Sequence, residues 1–269
     1  MNNAHRPIGI FDSGIGGLTV AQAIAQLLPK EDMIYFGDTA HLPYGDKSEA
    51  AIQAYSVKIA DVLLKKGCKV IVIACNSASS AAYELLKEYV RMDAHIINVI
   101  DPMVAYVTKH FKDKQIGLIG TKRTVMSGVY TDRIKETQNN VQLKSLATPL
   151  LAPMIEEGFF NNQISHEIIG QYLSDSELLD IDALILACTH YPLIKKEINQ
   201  FYNGKISILD SSEVVAQALK THLETNSLIN EQPESTKRFF VSDYTPSFEA
   251  STRLFFGEVV HLEQHRLWN

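Results

Sequence analysis

The chain has 269 residues, enough for one large domain or two compact ones with a sizeable buried core. Its 46% hydrophobic and 21% charged residues are ordinary for a globular protein, and a formal charge of −6 argues against a non-specific nucleic-acid binder. No apolar run approaches the roughly 20 residues that cross a bilayer, and Met1–Pro7 has no apolar signal core.

Short apolar runs alternate with helical stretches, so the expected class is α/β with mainly parallel sheets and crossover helices. In chain order, Ile8–Phe11, Met33–Phe36, Val70–Ala74 and Ile96–Val99 read as the first four strands. Leu18–Leu28 and Glu49–Lys66 read as helices between them. In the second helix Ile52, Tyr55, Ile59, Val62 and Leu63 form one stripe, and Asp46 with Glu49 is the capping pair expected at its start.

The second half repeats this grammar. Ile8-Gly-Ile-Phe-Asp-Ser is echoed by Ile116-Gly-Leu-Ile-Gly-Thr, and Val70-Ile-Val-Ile-Ala-Cys-Asn-Ser by Ala183-Leu-Ile-Leu-Ala-Cys-Thr-His, at nearly the same offset. Two related α/β halves are therefore expected. Beyond Thr221 a polar stretch, Asn226 to Arg238, reads as a loop. Phe239–Val241 and Val259–Leu262 then read as late strands returning to the first sheet. The resulting division is residues 1–99 with 206–269, a discontinuous first domain, and residues 100–205.

Ligands of open parallel sheets bind beyond the carboxyl ends of the strands. That rule selects Asp12-Ser13-Gly14, Asp38 to Gly45, Cys75-Asn76-Ser77, Gly120-Thr121 and Cys188-Thr189-His190. Asp12-Ser-Gly-Ile-Gly-Gly resembles a nucleotide-binding turn with Asp38 at the distance of a ribose-binding acid. However, Thr19 stands where G-x-G-x-x-G needs its third glycine. The glycines are expected instead to let backbone N–H groups approach an anion such as a carboxylate.

The three cysteines, at 68, 75 and 188, are odd in number and widely spaced, which suits a reducing cytosol better than a disulfide framework. Each of Cys75 and Cys188 alone reads as a small core hydrophobe. Together, at equivalent strand ends entering helix N-termini, they read as thiols whose pKa is lowered toward neutrality. Cys68 precedes a strand and reads as structural. No CxxC or HxxxH pair completes a metal site with Cys188 and His190. A Cys–His nucleophile uses one cysteine and leaves the other unexplained. Inversion at a carbon uses both, one thiol on each face.

At these residues the sequence resembles the aspartate/glutamate racemase family, and within it the glutamate racemases. The stretches that carry the resemblance are Gly9-Ile-Phe-Asp-Ser-Gly-Ile-Gly-Gly-Leu18, Tyr35-Phe-Gly-Asp-Thr-Ala40, Pro43-Tyr-Gly45, Ala74-Cys-Asn-Ser-Ala-Ser79, Pro149 to Gly158 and Leu186-Ala-Cys-Thr-His-Tyr-Pro192. The resemblance implies two similar α/β domains facing each other across a cleft with pseudo-twofold symmetry. It also implies a cofactor-independent, metal-free interconversion of L- and D-glutamate that supplies D-glutamate for peptidoglycan. A cytoplasmic homodimer is part of the same expectation. By that carry-over Cys75 takes the proton from D-glutamate and Cys188 from L-glutamate. Asp12 and His190 assist their respective thiols, and Glu156 supports His190. Ser13, Asn76, Ser77, Thr121 and Thr189 hold the carboxylates and amino group, with Asp12, Pro43, Tyr44, Gly45 and His190 also at the substrate.

Serine at 77 departs from the family's usual threonine; the hydroxyl is kept and a methyl lost. Forms activated by a cell-wall precursor resemble one another in a longer N-terminal extension than the short leader before Ile8, so that regulation is not expected here. Competing readings are an aspartate racemase on the same cysteine pair, a two-lobed glutamate-binding protein without catalysis, and a thiol-dependent hydrolase.

Overall fold

The structure, a computed structural model, describes residues 3–268. The chain begins with β1 (Ile8–Asp12), α1 (Leu18–Leu27), β2 (Met33–Gly37), α2 (Glu49–Lys65), β3 (Val70–Ile73), α3 (Asn76–Val90) and β4 (His95–Asn98). A second run follows: α4 (Ile100–His110), β5 (Gln115–Gly120), α5 (Lys122–Met126), α6 (Val129–Glu136), β6 (Gln142–Ala147), α7 (Leu151–Glu156), α8 (Gln163–Leu173), β7 (Ala183–Ala187), α9 (Lys195–Phe201) and β8 (Ser207–Asp210). The chain closes with α10 (Ser211–Thr225), β9 (Lys237–Val241), α11 (Pro246–Phe256) and β10 (Leu262–Gln264).

These strands form two sheets in which every pairing is parallel. One has the order β10-β9-β2-β1-β3-β4, the other β6-β5-β7-β8. The block β2-β1-β3-β4 thus recurs as β6-β5-β7-β8. The sequence repeat maps onto it residue by residue: Ile8 lies opposite Val70, and Ile116 opposite Ala183. Central strands β1, β2, β3 and β7 are buried along their whole length, so they are continuous apolar runs covered by helices on both faces.

Three expectations shift. Ser48, not Asp46, caps α2 by accepting the Ala51 amide, because Asp46 is taken up in a 3-10 turn over Tyr44–Asp46. The chain's return to the first sheet comes later than residue 206, since Ser207–Asp210 pairs with β7 in the four-stranded sheet. The last strand starts at Leu262 rather than Val259, which is exposed; the preceding turn is used by Val260, whose amide donates to Thr252 Oγ1. The late strands do join the six-stranded sheet, as β10 and β9 beside β2.

At the far end from the strand C-termini, Lys69 is buried with all three ammonium protons satisfied. It donates to Glu31 Oε2 (2.5 Å), the Ala4 carbonyl (2.6 Å) and the Leu228 carbonyl (2.9 Å). This paired charge pins the first residues and the segment after α10 to the base of the sheet. Within the described residues no helix is long and apolar enough to cross a membrane.

Candidate active site

In both sheets the chain leaves neighbouring strands in opposite directions, β1 against β3 and β5 against β7, and a crevice opens beyond their carboxyl ends. The two crevices meet in one cavity of about 200 Å³. Ser13, Pro43, Tyr44, Gly45, Cys75, Asn76 and Ser77 line it from the six-stranded half. Thr121, Glu156, Cys188, Thr189 and His190 line it from the four-stranded half. Every site residue read from the sequence is on this wall except Asp12, which is fully buried at the end of β1. Ala152, Pro153 and Ala187 complete the lining and carried no polar signal in the sequence. A volume this small, below the ~300–1,000 Å³ of drug-sized pockets, suits a single amino acid and not a dinucleotide. A larger groove of about 630 Å³ runs between α4 and α10, but neither cysteine lines it.

Cys75 ends the β3 connection and caps α3, its Sγ accepting the Ala78 amide at 3.4 Å. Its thiol also reaches Ser13 Oγ at 3.7 Å. The expected lowering of its pKa by the helix end is reversed. Burial first, and then the nearby Asp12 carboxylate, push the Cys75 thiol up to about 12, outweighing the Ala78 and Ser13 contacts. Asp12 is itself raised by burial, against the pull of His190 and the Gly17 and Gly14 amides. Its Oδ2 accepts from Gly14 N at 3.1 Å, while Oδ1 is buried with no partner among the described residues.

Cys188 is set differently. No α-helix begins at it; a 3-10 turn, Tyr191–Ile194, follows. What it has is His190, whose Nδ1 lies 3.6 Å from Cys188 Sγ while Nε2 lies 2.8 Å from Glu156 Oε1. Burial pulls the imidazole down, but Cys188 and Glu156 together outweigh it and hold His190 well above the usual histidine range. These two neighbours favour the protonated ring, in which Nδ1 faces Cys188 and Nε2 faces Glu156.

Two loops that the sequence singled out take definite structural roles here. Asp38 is not a ribose acid: fully buried, it accepts from Tyr44 Oη and Ser242 Oγ, each at 2.6 Å, and faces His41 Nδ1 at 2.8 Å. It anchors Tyr44 in the cavity wall, with the Tyr44 hydroxyl held protonated by burial and by that carboxylate. Among the glycines after β1, the Gly14 amide donates to the Asp12 carboxylate, and close packing fixes the next two. A Cβ on Gly17 would lie 2.5 Å from Asp12 Cβ, and one on Gly16 would lie 2.4 Å from His190 Cε1. They are small because the chain presses onto two site residues.

Asn76 accepts from the buried Tyr130 hydroxyl at 2.8 Å through Oδ1, leaving Nδ2 buried without a partner among the described residues. Ser77 keeps the hydroxyl in place, 2.8 Å from Thr121 Oγ1. Among the described residues no group of three or more His, Cys, Asp or Glu is arranged to hold a metal.

The profile of the Asp/Glu/hydantoin racemase family matches residues 8–219. Glutamate racemase of Persephonella marina is 41% identical over 260 residues, covering 97% of each chain. That of Chlorobaculum parvum is 38% identical over 252 residues, covering 93% of this chain and 92% of the relative. The crystal structure of glutamate racemase from Francisella tularensis in complex with D-glutamate superposes with a TM-score of 0.91 at 37% identity, over 98% of both chains.

Proposed function

The chain belongs to the Asp/Glu/hydantoin racemase family, and on that footing we propose that it interconverts L- and D-glutamate by proton transfer between two thiols. The observation that carries the reading is the meeting of Cys75 and Cys188, from equivalent strand ends of two similar sheets, in one amino-acid-sized cavity. Glutamate is the substrate named for the relatives at 38–41% identity.

The unpartnered atoms of the site match a zwitterion. Asp12 Oδ1 is an acceptor awaiting a donor such as an ammonium group, and Asn76 Nδ2 is a donor awaiting an acceptor such as a carboxylate. Ser13, Ser77, Thr121 and Thr189 add hydroxyls, and Pro43, Tyr44 and Gly45 close the wall. In the empty site Cys75 is a thiol. An ammonium group beside Asp12 offsets the charge that holds the Cys75 proton, so substrate binding itself makes that thiol easier to ionise.

For L-glutamate, Cys188 takes the α-proton with the His190 imidazolium beside it, and Cys75 delivers its proton to the opposite face. The reverse reaction exchanges the roles. His190 and Glu156 store the proton on one side, Asp12 and Ser13 tune it on the other. The electron pair of the broken Cα–H bond is carried by the substrate's own α-carboxylate as an enediolate, hydrogen-bonded by donors such as Asn76 Nδ2, until the opposite thiol returns a proton to the carbon, so the step is written without a cofactor.

The same reading includes D-glutamate supplied for peptidoglycan in the cytoplasm, a homodimer, and lobes formed by residues 1–99 with the chain after Asp210 and by residues 100–210. Light scattering measures the assembly state directly.

The test is L-glutamate with purified protein in deuterated buffer, without pyridoxal phosphate, metal or nucleotide. Loss of the α-proton NMR signal with D-glutamate appearing is expected. Exchange with L-aspartate alone would reassign the substrate, and no exchange with either from folded, reduced protein would leave a binding protein.

A further inference from the structure

The two thiol-bearing loops are held by contacts that come from across the cleft. In the six-stranded half, the Cys75-Asn76-Ser77 loop receives the Tyr130 hydroxyl from α6 at Asn76 Oδ1, at 2.8 Å. It also meets Thr121 Oγ1, at the start of α5, at Ser77 Oγ, again at 2.8 Å. In the four-stranded half, the Cys188-Thr189-His190 loop receives contacts from α1 and α11, which pack against the other sheet. Thr19 Oγ1 lies 3.0 Å from the Thr189 carbonyl and 3.0 Å from the Gly16 carbonyl, its one proton shared between the two loops. The Phe255 ring stands against the His190 ring at 5.3 Å between centroids and 84° between planes. The Gly16 backbone closes on the same imidazole, with no room there for a Cβ.

We propose that Thr19, Phe255 and Tyr130 are positioning residues acting across the cleft, so that each half aligns the thiol loop of the other. The proposal rests on the racemase reading for its activity readouts and on geometry alone for its placement.

Thr19, Phe255 and Tyr130 are buried and none lines the cavity, so they reach the substrate only through other residues. Each acts at a defined atom. Thr19 fixes the carbonyl between Cys188 and His190, which sets the direction from Nδ1 to Sγ. Phe255 stops the His190 ring from turning away from Cys188 and Glu156, and a T-shaped ring contact also suits a positively charged imidazole. Tyr130 holds the amide oxygen of Asn76 away from the cavity, and Nδ2 is thereby presented as a donor. Closing the halves and assembling the two acid–base sets are then a single event. Separation of the halves would loosen both loops while leaving each sheet intact.

The consequences differ by residue, which makes the proposal testable. Thr19→Val keeps the shape and removes the donor, so kcat is expected to fall about tenfold with KM nearly unchanged, the effect of about 1.4 kcal/mol. Thr19→Ser restores the hydroxyl and is expected within about twofold of wild type. Tyr130→Phe is expected to raise KM about tenfold with kcat nearly unchanged.

A substrate-free arm separates this proposal from the racemase reading. Iodoacetamide alkylation of Cys75 and Cys188 is followed site by site by mass spectrometry across a pH series. Thr19→Val and Phe255→Leu are expected to shift the pH profile of Cys188 and leave that of Cys75 in place, with Thr19→Ser unshifted. If wild-type protein exchanges no α-proton, the racemase reading fails and this arm alone decides the positioning. An unshifted Cys188 profile in Thr19→Val and Phe255→Leu, or an equal shift in Thr19→Ser, overturns the proposal for that loop. A wild-type KM in an active Tyr130→Phe protein overturns it for the other.

Discussion

Cys75 and Cys188 occupy equivalent positions in two copies of the same strand order, yet their surroundings are opposite in charge. Cys75 sits over a carboxylate, Asp12, on a helix end, and burial keeps its proton on. Cys188 faces the His190 ring, which Glu156 anchors and whose protonated form both neighbours favour, with no α-helix beginning at it. The duplicated backbone delivers two sulfurs to one cavity, and different side chains then surround each of them. Symmetry of scaffold does not require symmetry of chemistry.

The largest effects should come from removing either sulfur. Cys75→Ser and Cys188→Ser are each expected to lower kcat/KM by at least about 10³-fold, within the ~10²–10⁴ that one positioned acid–base group contributes. Enantiomers have equal free energies, so the loss must be the same from L- and from D-glutamate. The asymmetry appears elsewhere: Cys75→Ser should still exchange the α-proton of L-glutamate in deuterated buffer without forming D-glutamate. Near-wild-type racemisation by either variant would dismantle the two-thiol scheme.

Next come the partners. His190→Asn is expected to cost about 10²-fold in kcat, since it removes both the proton store and the charge beside Cys188. Asp12→Asn should cost about tenfold, because Cys75 keeps Ser13 and the α3 N-terminus. It should also move Cys75 alkylation to lower pH, the direction expected once a raising charge is gone. Equal losses with no change in Cys75 reactivity would erase the distinction between the two sides.

Stability against pH probes burial apart from chemistry. Cys68 and Cys75 are both pushed up from 9.0 to about 12, chiefly by burial. Each thiol then keeps its proton in the folded protein while the unfolded chain loses it near 9. Its contribution is intact below pH 9 and is lost between pH 9 and about 12, at about 1.36 kcal/mol per pH unit. Cys68→Ala should flatten the alkaline fall of the denaturation midpoint by one thiol's share while leaving racemisation in place. An unchanged slope would count against that origin.

The smallest effect belongs to the seam between the halves. Lys122–Asp46, Arg123–Glu49 and Arg133–Glu84 all place the cation on the four-stranded half and the anion on the other. Such exposed pairs are worth ~0–1 kcal/mol each and are screened by salt. Arg123→Gln should raise KM by less than about threefold, and added salt should shrink the difference. A salt-insensitive change would mean the seam acts through packing.

Much of the plan was legible in the sequence. Apolar runs located the strands, turn residues located their ends, and the repeat of Ala-Cys strand ends placed two thiols in equivalent positions. These are consequences of local patterning and of the rule that parallel strands open their ligand crevice at the carboxyl ends. The resemblance then named residues that the structure brings to one cavity. The misreadings share a cause. What packs on the glycines after β1 and on Asp38 was hidden because a short string does not show it, and His190 and Ser242 are distant in sequence. The lowered Cys75 pKa was inferred from one local dipole, whereas burial and Asp12 prevail. Thr19, Tyr130 and Phe255 gave no signal at all, since their role exists only where two halves touch. The sequence by itself determined the central strands of both sheets and the two sulfurs at their ends, because both follow from short-range pattern, whereas β6 and β8, only partly buried, gave no clean apolar run. Only the tertiary structure decided the charge state around each sulfur and what holds each loop, because desolvation and cross-cleft contact are properties of packed surfaces.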